Sequence, residues 1–329
     1  MLLISQLQLG PNKSVTPDIE FQSGSVNVVL GRNHSGKTAL CRLLAGLPTP
    51  ATARVSINGR KQMMGVDRSW PVSMVYQAFV NYPNWNVAEN IASPLTAGLS
   101  NRLTAAEIDK RVHQLAAKVH IEELLHRMPH ELSGGQQQRL AIARALAKEP
   151  QVLVMDEPLV NIDYKLREEL AGELKFLVAD SDTCLVYFTS DARDTLSLGD
   201  FTVLLQDGEV LQVGKPVDVY RSPLNFKAAD LLSDPGINPL SDNSAVRPEH
   251  VSLDPLDGLT FTATISGVET NGAETYLHAE VDIADKSHAW VVKLKGMRNV
   301  QSGEQVSFYI SEADVLTFKE DEGQGASFG

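Results

Sequence analysis

The chain has 329 residues, 43% of them hydrophobic, enough to form two domains that each bury a core. Acidic residues number 41 against 29 basic ones, a formal charge of −12, which excludes a nucleic-acid backbone as the main partner because phosphodiesters require a basic face. A pocket for one small anion needs only local positive potential and stays open.

The opening "MLLISQLQLG" carries neither a basic leader nor a small-residue cleavage site, and about 18 uninterrupted apolar residues occur nowhere. The sequence therefore predicts neither a secreted nor a membrane-spanning chain, so any membrane role must pass through a partner. Cys41 and Cys184 lie in apolar surroundings and read as buried thiols of a reduced cytosolic protein.

"SVNVVLGRNHSGKTALCRLLAGL" reads as strand, glycine loop and helix, the helix stopping at Gly46 before Pro48. Within it, Gly31 to Thr38 fits GxxxxGK[ST]. Gly31 and Gly36 let the backbone amides of Arg32, Asn33, His34 and Ser35 curl around phosphate oxygens, with the helix N-terminus adding partial positive charge. Lys37 supplies a mobile cation and Thr38 a hydroxyl ligand for Mg²⁺. His34 admits two readings, an imidazole aimed at the chemistry or a solvent-facing filler of a free position.

"ARVSIN" and "VSMVY" are strand-like, the first turning at Asn58-Gly59. From about 86 to 148 the period is helical, with Thr104 and Glu107 opening one helix as a capping box. In this block Ser133-Gly134-Gly135, followed by Gln136, starts the helix "QQQRLAIARALAK" and forms a second anion cradle. The apolar strand "QVLVMDEP" then ends in two acids. Asp156 suits Mg²⁺, and Glu157, pointed elsewhere by strand alternation, suits an attacking water. Helix "YKLREELAGELKFLVA" and strand "TCLVYF" follow. Strands alternating with helices predict a mostly parallel sheet covered on both faces, with 86–148 inserted as a helical block.

"FTVLLQDGEVLQVG" reads as a hairpin around Asp207-Gly208, and helix continues to about Leu232. "SDPGINPLSDNSA" is the linker candidate, beyond which short strands predict a small antiparallel barrel or sandwich. Residues 319–329 read as an unstructured tail.

From Met1 to about Leu232 the chain resembles the ATP-binding subunits of ABC transporters. The phosphate loop, Gln77 in "MVYQAF", "LSGGQ", "VLVMDEP" and Asp163 in "LVNIDYKLR" carry the resemblance. It implies an α/β P-loop NTPase core over 1–234 with a parallel sheet and the helical insertion. A C-terminal all-β, oligonucleotide-binding-like barrel over 240–329 completes the expected fold. ATP and Mg²⁺ are the implied ligands, the metal held by Thr38, Gln77 and Asp156. Ser133, Gly134, Gly135 and Gln136 would serve a partner's nucleotide, and Asp163 would sit at the dimer seam. The implied partners are a second ATPase subunit, integral membrane permeases and, indirectly, an extracytoplasmic solute-binding protein. No nucleic acid is among them, and the chain would sit peripherally on the cytoplasmic face of the inner membrane. The region opened by "AVRPEHVSL" resembles the regulatory domain of sugar and polyol importers, and "VYQAFVNYPNWNVAENIASPL" resembles their glycerol-uptake branch.

Two departures stand out. Aligned through "SLGD", Ser190 occupies the position of a histidine that contacts the γ-phosphate and attacking water. Losing one such preorganised contact typically costs about 2.7–4 kcal/mol. Serine there also reads as a cap for the helix beginning near Asp191, and the two readings are compatible. Second, the loop after the first strand offers no aromatic to stack on adenine; Phe21 is the first, and Pro11 or Leu9 are the available apolar substitutes. Base stacking is worth ~1–3 kcal/mol. Both departures affect the chain's own nucleotide, whereas the signature is intact. They point to an asymmetric heterodimer in which this subunit hydrolyses slowly and completes its partner's site. The alternative is a non-catalytic regulator whose partner alone turns over; a soluble repair or translation protein of the same family fits less well with the acidic charge.

Overall fold

The computed structural model describes every residue except 11–12, 63–70, 79, 97–102, 160–163, 180, 285 and 319–329. The tail, Pro11 and Asp163 thus lie outside the described residues. The chain divides into two compact units, Met1–Pro216 and Val217–Gly329.

The first unit opens with strands β1 (Leu2–Gln8), β2 (Ile19–Phe21) and β3 (Val26–Leu30), then helix α1 (Lys37–Leu44). Strands β4 (Thr52–Ile57), β5 (Arg60–Gln62) and β6 (Val72–Val75) precede a helical block of α2 (Val87–Thr96), α3 (Ala105–Lys118) and α4 (Gly134–Leu146). After it come β7 (Val152–Asp156), α5 (Tyr164–Ala179), β8 (Cys184–Thr189), α6 (Ala192–Leu198), β9 (Phe201–Gln206) and β10 (Glu209–Gly214).

The central sheet has the order β10-β9-β3-β8-β7-β6 and is parallel from β9 to β6. Both of its faces are covered, which is why its strands are unbroken apolar runs instead of alternating ones. Along β7, Val152 and Val154 face one core, with α1 and β1, β2 and β4, while Leu153 and Met155 face the other, with the helical block and α5. Strand β8 divides likewise, Val186 and Phe188 against Leu185 and Tyr187. The antiparallel sheet β2-β1-β4-β5 supplies much of the first cover, so "MLLISQLQ" is a strand in its own right.

The two hairpins form where the sequence predicts them. Asn58 and Gly59 (φ 50 and 75) and Asp207 and Gly208 (φ 52 and 79) all take left-handed conformations, the requirement of the tight turns that match strand twist. In the helical block, Thr104 accepts from Glu107 N at 3.3 Å, and Glu107 accepts from Thr104 N at 2.7 Å, completing the expected capping box. Asn90, with no exposed surface, donates to the carbonyls of Tyr82, Trp85 and Asn86 at 3.1, 2.8 and 3.0 Å. It thereby fastens the aromatic loop before α2 onto that helix.

The second unit holds α8 (Phe226–Leu231), reached through α7 (Pro216–Arg221), and then strands β11 (Asn238–Ser241), β12 (Ser244–Val246), β13 (Val251–Ser252), β14 (Leu259–Thr270), β15 (Glu274–Ile283), β16 (Lys286–Lys295), β17 (Gln305–Ile310) and β18 (Val315–Thr317). The antiparallel sheet β13-β17-β14-β15-β16 curls until β13 touches β16, around Trp290, Phe308 and Phe261. This is the expected all-β barrel-like architecture. The stretch read as a linker corrects the sequence expectation: it contains β11 and the start of β12, paired in the order β11-β12-β18. Pro239 is tolerated because β11 is an edge strand, where a missing N–H leaves no gap in the ladder.

Both thiols are buried. Burial pushes Cys184 up to about 12 and raises Cys41 as well, with the nearby Asp156 charge adding to it. No described helix is long and apolar enough to cross a membrane.

Thr104→Ala removes one half of the capping box. It is expected to lower stability by about 1 kcal/mol, read as a lower urea midpoint with an unchanged slope.

Candidate functional site

A parallel sheet ends its strands at a common edge, and ligands bind beyond those carboxyl ends. Leu30 pairs with Thr189, Asp156 with Phe188 and Val75 with Met155. The phosphate loop after β3, Ser190 after β8, Asp156 and Glu157 at the end of β7, and Gln77 just beyond β6 therefore leave four adjacent strands, spaced about 4.8 Å apart, on one side. Segments remote in sequence become neighbours.

At the loop's start, Gly31 donates to the Thr189 carbonyl at 3.1 Å, and a Cβ there would collide with the Ser35 hydroxyl and the Leu205 carbonyl. Gly36 takes φ 106 and begins α1 with no side-chain cap, so the amides of Lys37 and Thr38 have no partner within the helix. The Ser35 hydroxyl is buried without a hydrogen-bond partner. Unused donors on a glycine-shaped concavity at a helix N-terminus fit an anionic phosphate. Arg32, Asn33, His34 and Thr38 are exposed, His34 with φ 65.

Lys37 is 6% exposed, and its ammonium donates to the carbonyls of Gly31 and Arg32 at 2.6 and 3.1 Å. It also lies 3.4 Å from Glu157 Oε1. This corrects the expectation that strand alternation turns Glu157 away. Glu157 has φ 44, so it has left the pleat, and alternation no longer governs its direction. Its amide donates to the Phe188 carbonyl at 2.9 Å, fixing the reversal.

Asp156 is raised above its ordinary carboxyl range by burial first and by the Glu157 charge second, with Lys37 opposing. Two adjacent carboxylates, one substantially buried, against the Lys37 ammonium form a cleft with a deficit of positive charge. That donor set fits a divalent cation held by hard oxygens. Asp156, the Thr38 hydroxyl and the exposed Gln77 amide are the residues available to hold Mg²⁺.

Ser190 is exposed and does not cap α6, a second correction. Asp191 is the N-cap, its carboxylate accepting from Arg193 N at 2.9 Å. Serine and aspartate cap equally well, so sequence alone could not choose between neighbours. Phe21 is buried edge-to-face against Phe201 and unavailable to a base. Leu9 is buried too, its side chain close against Gly36.

The signature forms a second cradle at the start of α4. Ser133 accepts from Gln136 N at 3.4 Å, and Gln136 accepts from Ser133 N at 3.0 Å, a capping box. The amides of Gly134 and Gly135 remain without intrahelical partners. Sequence reasoning missed a groove of about 590 Å³ beside β6, lined by the exposed Tyr76, Val80, Tyr82 and Trp85 and by Arg144 of α4. The Arg144 guanidinium stands 4.8 Å from the centre of the Tyr82 ring. The cluster of aromatics in "VYQAFVNYPNWN" was the available signal.

A family model described as ABC transporter matches residues 16–160, and one described as TOBE domain matches 244–318. The sn-glycerol-3-phosphate import ATP-binding protein UgpC of Brucella abortus is 32% identical over 328 residues, covering 92% of both chains. The xylose/arabinose import ATP-binding protein XacK of Haloferax volcanii is 30% identical, covering 91% of this chain and 86% of its own. A dimeric ATP-binding cassette solved in a post-hydrolysis state with ADP and Pi has a TM-score of 0.57 at 25% identity, covering 66% of this chain and 99% of that one. CbiO1 of Clostridium perfringens, at 23% identity, 67% and 90% coverage and a TM-score of 0.59, shows the same fold.

The raised Asp156 carboxyl has a stability consequence. Above the ordinary aspartate value of 3.8 the unfolded chain ionises more readily than the folded one, so this group destabilises the fold increasingly as pH rises. Asp156→Asn is therefore expected to raise the melting temperature of the nucleotide-free chain at pH 7. The gain should vanish as the pH falls below about 4 in a calorimetric pH series.

Proposed function

The chain belongs to the ABC transporter family, and from that premise we propose that it is the ATP-binding and ATP-hydrolysing subunit of an importer for a sugar or polyol, glycerol-related solutes included. The observation that carries the reading is the convergence of phosphate loop, Asp156, Glu157 and Gln77 on adjacent strand ends. The cargo class rests on the relatives that span nearly the whole chain, named for glycerol-3-phosphate and pentose import, and on the TOBE match.

In this reading the loop amides bind the phosphates of ATP, and Lys37 leaves Glu157 for the outer phosphates. That release frees the Glu157 carboxylate to take a proton from the attacking water. Mg²⁺, when bound, neutralises charge on the phosphates. Ser133, Gly134 and Gly135 reach across to a partner's nucleotide, with Asp163 at the seam. The aromatic groove suits a docking segment of a membrane permease: Asn90 fixes the loop that carries Tyr82 and Trp85, and α4 joins this wall to the signature. The subunit would then act peripherally, at the cytoplasmic face of the inner membrane, downstream of a solute-binding protein.

Ser190 makes this subunit the slower half of an asymmetric pair. A hydroxyl is shorter than an imidazole and carries no positive charge, and here it is spent on no cap. The second reading, a non-catalytic regulator, draws on the same residue, while the retained Glu157 favours turnover.

In the reconstituted complex, Lys37→Ala is expected to cost less turnover than the equivalent change in the partner ATPase; equal losses would remove the asymmetry. Ser190→His is expected to accelerate single-turnover hydrolysis by about tenfold or more. An unchanged rate would leave position 190 without a catalytic part.

A further inference from the structure

The backbone on both sides of Ser190 is held by a buried polar network that the reaction described above does not use. Thr189 stands at its centre. Its carbonyl accepts from Gly31 N at 3.1 Å, its hydroxyl donates to Asp194 Oδ2 at 2.7 Å, and the same hydroxyl accepts from Asp191 N at 3.0 Å. Asp194 is 5% exposed. Besides Thr189 it accepts from the Tyr187 hydroxyl at 3.2 Å and from Arg167 Nε and Nη2 at 3.2 and 2.7 Å. Arg167 Nη2 also reaches Asp191 Oδ2 at 2.9 Å. One guanidinium thus holds both the N-cap of α6 and the buried carboxylate behind Thr189.

A buried ion pair is weak as a stabilising device, because desolvation offsets most of its attraction and well-packed apolar residues serve a core as well. What such a pair provides is direction. Arg167 fixes the two carboxylates at set angles, and their hydrogen bonds end on residues 189 and 191 and, through the Thr189 carbonyl, on the first residue of the phosphate loop. Arg167 itself stands near the start of α5, four residues after Asp163.

We propose that Arg167 is a positioning residue for hydrolysis: through Asp194, Asp191 and Thr189 it holds residue 190 in register with the phosphate loop and ties that register to the beginning of α5. The inference rests on the proposed catalytic part of position 190, the place of the family's γ-phosphate-contacting histidine. Alignment of the loop after β8 is thereby tied to the N-terminal part of α5 through one guanidinium and one saturated carboxylate.

The test uses the full chain in its assembled complex, with the phosphate-loop lysine of the partner ATPase changed to alanine so that kcat reports this chain's own site. It compares Arg167→Met with Thr189→Val, a near-isosteric change that removes the hydroxyl link while leaving the Arg167–Asp194 and Arg167–Asp191 pairs. Both are expected to lower kcat by about tenfold to a hundredfold, the usual effect of a small misplacement. The Kd for ATP, measured with a fluorescent analogue, should stay within about twofold, and Arg167→Lys should fall between parent and Arg167→Met. Wild-type kcat in Thr189→Val overturns the proposal, even if Arg167→Met fails to fold. So does a parallel loss of kcat and ATP affinity, which is the mark of a merely structural role. If Ser190→His changes nothing in the parent chain, the reading of position 190 fails on its own, and the Thr189→Val rate still decides whether the network positions the loop.

Discussion

The ammonium of Lys37, almost wholly removed from water, rests against the carbonyls of Gly31 and Arg32 and the carboxylate of Glu157. A charge in that position is tolerable only because each of its hydrogen-bonding directions is met, and the desolvation of an unpaired ion costs several kcal/mol. The arrangement also leaves Asp156 under-compensated, which is visible in its raised carboxyl. Positive charge is in deficit for the acids, and anion donors at the loop go unused. A nucleotide arriving with a divalent cation answers both demands at once. In the mechanism proposed above, binding and the release of Glu157 from Lys37 would be a single electrostatic exchange.

The legible parts of the sequence were those written in local rules. Asn58-Gly59 and Asp207-Gly208 announce themselves because few residues accept the left-handed backbone of a tight hairpin. Thr104 and Glu107 predict a helix start through a reciprocal bond three residues apart. The phosphate loop is legible for the same reason, its glycines answering to close backbone approach. Where the sequence reading erred, a local rule had been carried one residue too far. Strand alternation predicts a Glu157 turned away, yet the residue has already left the strand. Of the two compatible readings of Ser190, the cap fails because its neighbour Asp191 takes that role. The polar composition of "SDPGINPLSDNSA" concealed β11 and β12, whose existence depends on pairing with a strand at Val315–Thr317. The grouping of Arg167 with Asp194, Asp191 and Thr189 could not be read at all, because it is made by tertiary packing across α5, α6 and β8.

The two nucleotide half-sites in this chain differ in how completely they are built. The signature half has its capping box closed and its glycine amides open, with no element missing. The phosphate half has its cradle, its cation and both acids, with serine at position 190, and Phe21, the first aromatic of the chain, is committed to the core.

Helix α4 begins at the signature and, in its last turns, provides Ala141, Arg144 and Ala145 to the aromatic groove. Its 13 residues make a rod about 20 Å long, with no proline to bend it. A rod cannot move at one end alone. A tilt of about 10° about its midpoint would carry each end through about 2 Å. If the signature meets a partner's triphosphate as proposed, this one stiff helix links that phosphate to whatever occupies the groove.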